Sequence, residues 1–484
     1  MIGLILEDQS FEQDIRELLM AFYPGERFLH EEKNDEDFRL LVHGVTGDDF
    51  FRLSLEDKEQ GITKVSETRV DFSDRFETKN RIKRMLYGMA GELTGRELPW
   101  GTLTGIRPVK IAMTKLLSGS GEKEVFDYMK HTYLTSDQKV DLSLEIAKKE
   151  LDLLSDIDYE NGYSLYIGIP FCPTTCLYCS FTSFPISQWE KRMDDYLEAL
   201  FKEMEFTARR MAGKTLDTVY IGGGTPTSLS AEHLEKLILK LKNTFDFTNV
   251  KEFTVEAGRP DSITQEKLEV LKKYGVTRIS INPQTMKEET LKIIGRRHTV
   301  EMVKDRFLLA RSLGFDNINM DLIIGLPGED MEDVIRTMEE IKSLGPDGIT
   351  VHTLAIKRAA RLNMYKEQYE DLKITGTQEM VDLTAAYARS MGQEPYYLYR
   401  QKNMAGNFEN VGYSAPGKAC IYNILIMEEK QTIAACGAGT TTKVVFPSEN
   451  RLERVENVKD VEQYIARIDE MIERKEKMLA KSEM

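Results

Sequence analysis

The chain has 484 residues, enough for roughly two to four domains and at least one large buried core. Hydrophobic residues make up 41% and charged residues 30%, with 33 Gly and 14 Pro, which excludes collagen-like, mucin-like and disordered chains. The 80 Asp and Glu outnumber the 65 Lys and Arg, a formal net charge of −15, so any anionic ligand needs a local basic pocket and a general grip on nucleic acid is excluded. No stretch approaches the roughly 20 apolar residues of a membrane span, and the opening MIGLILEDQSFEQD turns acidic where a signal peptide would stay apolar. The expectation is a cytoplasmic protein with no membrane span.

In chain order, residues 1–155 carry the acidic stretch Glu31–Asp37, alternating strand-like runs at Phe38–Val45 and Phe50–Leu55, and a helix pattern over Lys79–Leu93. They predict a small α+β domain of their own. The Gly-rich segment Trp100–Pro108 reads as a linker, and Thr135–Ser155 as a helix that leads onward.

From Ser164, short β-branched or aromatic runs alternate with longer amphipathic ones, as in βα units with parallel strands. The predicted strands are Ser164–Ile169, Thr218–Ile221, Glu252–Glu256, Arg278–Asn282, Asn317–Ile324 and Gly348–Leu354. Helices are predicted near Trp189–Arg210, Ala231–Thr244, Gln265–Tyr274, Val300–Leu313 and Met331–Ser343. Six units fall short of a closed eight-fold barrel, so an open (β/α)6 partial barrel follows, with chemistry at the strand C-termini. Beyond it come a helix near Thr375–Met391, a short strand Tyr396–Tyr399, a Gly-rich region over Gly406–Gly439 and a charged helix from about Val458. The domain boundaries are set at 1–155, 156–365 for the partial barrel, and 366–484 for a mostly helical region that covers the substrate.

Five cysteines, an odd number without an export signal, argue for reduced thiols in metal or redox work. Three form the C-x3-C-x2-C pattern Cys172, Cys176 and Cys179; Cys420 and Cys436 lie far away. A structural zinc site would need a distant fourth ligand. Three thiolates on one loop can instead hold three irons of a [4Fe–4S] cluster and leave the fourth iron open.

Other chemistry sits at the predicted strand ends. Gly222-Gly223-Gly224-Thr225-Pro226 follows the second strand, where glycines expose backbone N–H groups to a ligand or merely make a tight turn. Glu256 ends the third strand. Asn282-Pro283-Gln284 ends the fourth, and Arg296-Arg297-His298 follows, so an amide and a guanidinium can converge on an anion or an adenosine. Asp321 lies within an apolar strand, which predicts a ligand or an Arg partner for it.

The cysteine pattern, with the aromatic Tyr178 before its last cysteine, resembles the signature of radical S-adenosylmethionine (SAM) enzymes. With the GGGTP turn and the strand ends in this order, residues Ser164 to Lys443 resemble the oxygen-independent coproporphyrinogen III oxidase family. The long N-terminal region, the GTLTGIRPVK segment and Tyr397–Asn403 are more similar to its HemZ-type, coproporphyrinogen dehydrogenase-like members.

That resemblance implies a [4Fe–4S] cluster on Cys172, Cys176 and Cys179, with SAM on the open iron and a 5'-deoxyadenosyl radical from its cleavage. It implies that Tyr166, Gly223 and Glu256 contact this SAM. Tyr178, Gly224, Thr225, Gln284, Arg296 and Asp321 would line a second SAM position or the substrate, with Tyr178 and Arg296 in catalytic roles. The implied reaction converts two propionates of coproporphyrinogen III to vinyl groups, giving protoporphyrinogen IX, with a low-potential electron donor such as flavodoxin or ferredoxin. Arg107, Arg358, Arg361, Arg400 and Lys402 are candidate partners for the substrate carboxylates.

Departures keep other readings open. Gly168 and Phe181 stand where classical members carry His and a further Cys, and an Arg-His-Asn signature reads Lys418–Asn423 with only Asn423 kept. A haem-binding or haem-delivery protein, or a tetrapyrrole-modifying methyltransferase, fits the same scaffold. Cys420 reads either as a hydrogen-atom donor or as a packed thiol, and Cys436 as core.

Overall fold

The structure is a computed structural model that describes residues 1–30, 38–105, 107–181, 183–354, 376–400, 408–446, 449 and 451–481. It divides into two compact units. Met1–Lys148, with short returns beginning at Thr353 and Leu398, forms one, and nearly all of the remainder forms the other.

The first unit is built on a five-stranded sheet in the order β2-β1-β3-β4-β5, from Ile2–Leu6 (β1), Phe28–Leu29 (β2), Leu40–Thr46 (β3), Phe50–Asp57 (β4) and Ile62–Arg69 (β5). Helices Glu12–Phe22 and Arg75–Thr94 bury Ile15, Leu18, Leu19, Ile82 and Leu86 in one core with Leu4, Val42, Phe51 and Leu53. The alternating burial of β4 is what a sheet with one covered face requires.

The second unit holds an eleven-stranded sheet. Its centre is the six-strand run Gly162–Ile169 (β6), Thr215–Gly223 (β9), Glu252–Glu256 (β10), Arg278–Ser280 (β11), Ile318–Ile324 (β12) and Gly348–Thr353 (β13). Two-residue strands Phe171–Cys172 (β7) and Phe184–Pro185 (β8) pair apart from it. The β6, β9, β10, β11 and β12 pairings are parallel. These strands are buried on both faces, with Leu165, Ile167, Val219 and Ile221 on one and Ser164, Thr218, Thr254 and Ser280 on the other, so neither face is left to water. Between them lie the helices Met193–Arg210, Ala231–Thr244, Gln265–Lys273, Val300–Ser312 and Met331–Leu344. Ser230, Thr264, Thr299 and Asp330 cap the last four through side-chain oxygens. The open parallel arrangement agrees with the partial barrel read from the sequence.

Alongside its helices, the C-terminal region contributes strands that extend the sheet at both edges. Glu394–Tyr399 (β14) and Asn410–Ser414 (β15) join beyond β13, and Thr432–Cys436 (β16), Thr441–Phe446 (β17) and Arg451–Glu456 (β18) join beyond β6. β16 is parallel to β6 and β15 antiparallel to β13. The alternation in Thr441–Phe446 follows the burial pattern of a strand with one face covered.

Candidate functional site

The cysteine loop leaves β6 and is tied down on two sides. In the small parallel pair, Cys172 lies opposite Pro185. Leu177 N–H donates to Ile294 O at 2.9 Å and Thr174 Oγ1 to Gly295 O at 3.0 Å. The glycine turn that ends β9 is stitched to the same segment, with Gly224 N–H donating to Ile169 O at 2.8 Å and Thr225 N–H to Phe171 O at 2.7 Å. Thr225 Oγ1 lies 3.4 Å from Cys172 Sγ.

The glycines are required there. Gly223 sits at φ +110°, in the region that disfavours side chains, and a methyl group on Gly224 would lie 2.6 Å from Phe171 O.

Two guanidiniums face the loop. Arg259 donates to Thr174 O at 3.1 Å, to Thr174 Oγ1 at 3.0 Å and to Cys176 Sγ at 3.6 Å, and it grips Asp261 at 2.7 and 2.9 Å. Arg296 donates to Asn282 O at 2.6 Å and to Tyr178 Oη at 3.2 Å. Burial pushes the Cys172 thiol up and the Cys179 thiol up to about 11. Both are therefore held protonated until a metal displaces the proton. Tyr178 is pushed up by burial against the pull of Arg296, so it stays a neutral phenol.

Glu256 lies at the end of β10. Tyr220 Oη donates to its Oε1 at 2.6 Å, and a methyl group on Gly222 would lie 3.0 Å from its Cδ. Burial pushes Glu256 up to about 7, and Asp321 adds to this while Tyr220, Arg278 and the Gly223 N–H oppose it. Tyr220 is stacked on Tyr166 at 6.0 Å and on Tyr422 at 4.5 Å between ring centroids.

Asp321, for which a ligand or an Arg partner was expected, meets amides among the described residues. Two side-chain amides satisfy it, Asn282 Nδ2 and Asn319 Nδ2, each at 2.7 Å, with His352 Nε2 at 4.0 Å. Its N–H donates in turn to Asn282 Oδ1 at 3.1 Å. Gln284 follows at φ +68°, a strained setting for a residue with a side chain; its backbone bridges Asp321 O and the Ile323 N–H.

The candidates therefore fall into two adjoining sets at the strand C-termini. Cys172, Cys176, Cys179, Tyr178, Thr225, Gly224 and Arg296 gather around the loop, and Tyr166, Gly223, Glu256, Gln284 and Asp321 lie on the strands beside it. Arg259, Asp261, Tyr220 and Asn319 carry no role in the sequence reading, and Asn282, read there at a strand end that could meet a ligand, instead holds Asp321. A charged pair two residues apart just past a strand end, as in Arg259-Pro260-Asp261, was the available signal for the first two.

Among the cations expected to meet a carboxylate substrate, Arg400 is buried with its guanidinium over Trp100 at 5.6 Å. It donates to Leu103 O at 2.8 Å, so it holds its own unit together. Arg107 is half-buried, and Arg358, Arg361 and Lys402 lie outside the described residues. Cys420 is a packed thiol that donates to Glu252 Oε1 at 3.2 Å, and Cys436 is buried against Thr207 Oγ1 at 3.3 Å. Glu252 begins β10 and Glu256 ends it, about 13 Å apart at a strand's rise, so Cys420 lies at the opposite end from the cysteine loop.

The Radical SAM superfamily profile matches residues 166–341. Over 98% of its length the chain is 39% identical to the oxygen-independent coproporphyrinogen-III oxidase-like protein HemZ of Bacillus subtilis (strain 168), covering 96% of that protein. The chain belongs to the radical SAM superfamily, in its HemZ-like branch. Within this superfamily it also shares 40% identity over 195 residues with the heme chaperone HemW of the same organism, of which it spans 51%. In fold it matches the structure of coproporphyrinogen III oxidase (HemN) from Escherichia coli, with a TM-score of 0.53 and 23% identity over 66% of this chain and 72% of that one.

Superfamily membership implies a [4Fe–4S] cluster and SAM, and the residues fit them. Among the described residues no three His, Cys, Asp or Glu side chains converge on a single-ion site. A four-iron cube asks for something else, one thiolate on each of three separate irons. Three cysteines on a short loop, two guanidiniums beside it and a glycine turn with no room for a Cβ meet that demand. No helix among the described residues is long and apolar enough to cross a membrane.

Proposed function

We propose that this protein is a radical SAM enzyme that oxidatively decarboxylates coproporphyrinogen III to protoporphyrinogen IX without oxygen, in haem biosynthesis. The observation that carries this reading is the near full-length similarity to the HemZ oxidase-like protein, centred on the cysteine loop. When bound, the reduced cluster would supply the electron that cleaves SAM to methionine and a 5'-deoxyadenosyl radical able to take a hydrogen atom from a substrate propionate, and loss of CO2 with one electron passed to an acceptor would then leave the vinyl group.

The chain's own residues do the rest. Cys172, Cys176 and Cys179 bind the irons, and Arg259 and Arg296 offset the negative charge of the thiolates. The turn Gly222–Thr225 lets the cofactor approach the backbone. Glu256 and Tyr166 flank the SAM position, while Asn282 and Asn319 hold Asp321 toward the mouth. Buried Tyr178 keeps its proton and, anchored by Arg296, borders the reacting centre. The electron enters from a low-potential donor of the flavodoxin or ferredoxin class.

The 40% identity to a heme chaperone over 195 residues supports a second reading, in which the same scaffold holds haem and does not oxidise the porphyrinogen. One assay separates the two. Anaerobically reconstituted protein is given dithionite, SAM and coproporphyrinogen III, and deoxyadenosine and tetrapyrrole products are followed by mass beside Cys176→Ala. Cluster-dependent protoporphyrinogen supports the oxidase. Deoxyadenosine without decarboxylation, together with stoichiometric haem uptake, supports the chaperone.

A further inference from the structure

Tyr220 is absent from the residues that the sequence points to, yet its hydroxyl donates to Glu256. The register of the sheet explains how. Thr254 pairs with Tyr220 and Val255 with Ile221, which brings Glu256 beside Gly222, on the same strand face as Tyr220 two residues earlier. Tyr220 Oη holds Glu256 Oε1 at 2.6 Å. The other oxygen, Oε2, lies over Gly222, where a methyl group would come within 3.1 Å of it. One carboxylate oxygen is therefore fixed from below and the other is presented at the glycine turn.

Tyr220 cannot easily turn away. Its ring is stacked on Tyr422 at 25° between planes and on Tyr166 at 15°. These two stack on each other as well, at 6.0 Å, so three rings from two strands and the helix Ile421–Glu428 lock the phenol in place.

The charged and titratable groups that face Glu256 come from neighbouring strands. Arg278 of β11 and the Gly223 N–H favour the carboxylate, whereas Asp321 of β12 and burial favour the neutral acid; Tyr166 and Tyr422 stay protonated. Burial is the largest of these influences and pushes the group up to about 7, and the Tyr220 hydrogen bond is the largest of those that favour the carboxylate.

We propose that Tyr220 is a positioning residue whose hydroxyl, by donating to Glu256, favours the carboxylate form that accepts the ribose hydroxyls of SAM. This rests on the radical SAM reading above and adds to it the residue that sets SAM affinity and its pH dependence. A vicinal diol offers two O–H donors to one carboxylate, and only the ionised form accepts both.

The test is equilibrium dialysis of SAM against reconstituted protein from mildly acidic to alkaline pH, for wild type, Tyr220→Phe, Glu256→Gln and the double variant. Tyr220→Phe keeps the ring stack and loses only the donor. It should weaken SAM binding roughly tenfold near neutral pH, the scale of a hydrogen bond to a charged group. Its deficit should vanish at alkaline pH, where Glu256 ionises unaided. Reporting each variant as a ratio to wild type cancels the titration of SAM itself. Glu256→Gln should be weak at every pH, and adding Tyr220→Phe should change it little.

A Tyr220→Phe protein that binds like wild type, or one equally weak at all pH values, overturns the proposal. Wild-type protein that carries its cluster and binds no SAM at any pH overturns the radical SAM reading instead.

Discussion

Arg259 aims a guanidinium nitrogen at Cys176 Sγ from 3.6 Å, and the same guanidinium is held by Asp261 and by both oxygens of Thr174. A fixed positive charge thus sits against one of the three thiols. Against the cost of its burial, the Arg259 pairing holds the Asp261 carboxyl below its usual range.

From this follows the first prediction. Arg259→Gln removes the cation and leaves Asp261 as a net negative neighbour, which disfavours adding an electron to a bound cluster. A unit charge about 6 Å away is worth roughly 2–3 kcal/mol at an effective dielectric near 20, or on the order of 100 mV for one electron. Electrochemical titration of the reconstituted protein should show the potential falling by that order, with Arg259→Lys in between. An unchanged potential would mean the guanidinium is only a scaffold.

How much of this was legible in the sequence depends on what each residue needed from the fold. The six central strands stood out because parallel strands buried on both faces must be β-branched or aromatic throughout, as in Phe253, Thr254 and Val255. The glycine turn and the cysteine spacing are local, so they were readable as well. The partners of Asp321 were not. Asn282 comes from the strand before and Asn319 from two residues upstream, and only the sheet register joins three polar groups that a linear reading sees as separate. Tyr220 looked like one more aromatic in a strand, for the same reason. Of the C-terminal strands, Tyr396–Tyr399 was readable from its aromatics, whereas Asn410–Ser414 and Thr432–Cys436 lie in the Gly-rich stretch, where residues such as Gly412, Ala434 and Ala435 give little to mark a strand.

A second prediction concerns the glycine turn. Any Cβ on Gly224 would meet Phe171 O at 2.6 Å and Phe171 N at 2.9 Å, and backbone atoms cannot swing aside as a side-chain tip can. Gly224→Ala must therefore push the Phe171–Cys172 strand outward, at about 1–3 kcal/mol by analogy with overpacked cores. Iron bound per chain after reconstitution should drop while far-ultraviolet circular dichroism stays unchanged. Full iron loading in Gly224→Ala would contradict the stitched arrangement of turn and loop.

Cys420 gives a third. Its thiol donates to Glu252 Oε1, and the Ile421 and Tyr422 N–H groups donate to the same carboxylate at 2.6 and 3.4 Å, so Glu252 caps the helix that starts at Ile421. Cys420→Ala removes one of several donors to a buried charge, which costs about 1–3 kcal/mol. Burial pushes this thiol far above the usual range, so it is no nucleophile. SAM cleavage and product formation should continue in Cys420→Ala, with a lowered melting temperature. Abolished turnover in a well-folded variant would restore the hydrogen-donor role.

The last prediction tests how the C-terminal helix supports the barrel. Glu203 is fully buried and accepts from Gly437 N–H at 2.7 Å, Asn457 Nδ2 at 2.7 Å, Tyr464 Oη at 2.5 Å and the Lys475 ammonium. Lys475 also donates to Ala435 O, and Ala435 is the β16 residue paired with Tyr166. One ion pair therefore fastens helix Ile468–Lys481 to helix Met193–Arg210 and to the strand beside β6. Lys475→Met strands a buried carboxylate, at about 3–5 kcal/mol, whereas Lys475→Met with Glu203→Gln removes both charges and should recover most of that loss. Thermal melts of the two variants give the comparison. Limited proteolysis should cut the C-terminal helix first in the single variant, and because β16 borders β6, its SAM affinity should fall before its cluster is lost. Equal stability of wild type and Lys475→Met would show that the remaining donors satisfy Glu203 alone.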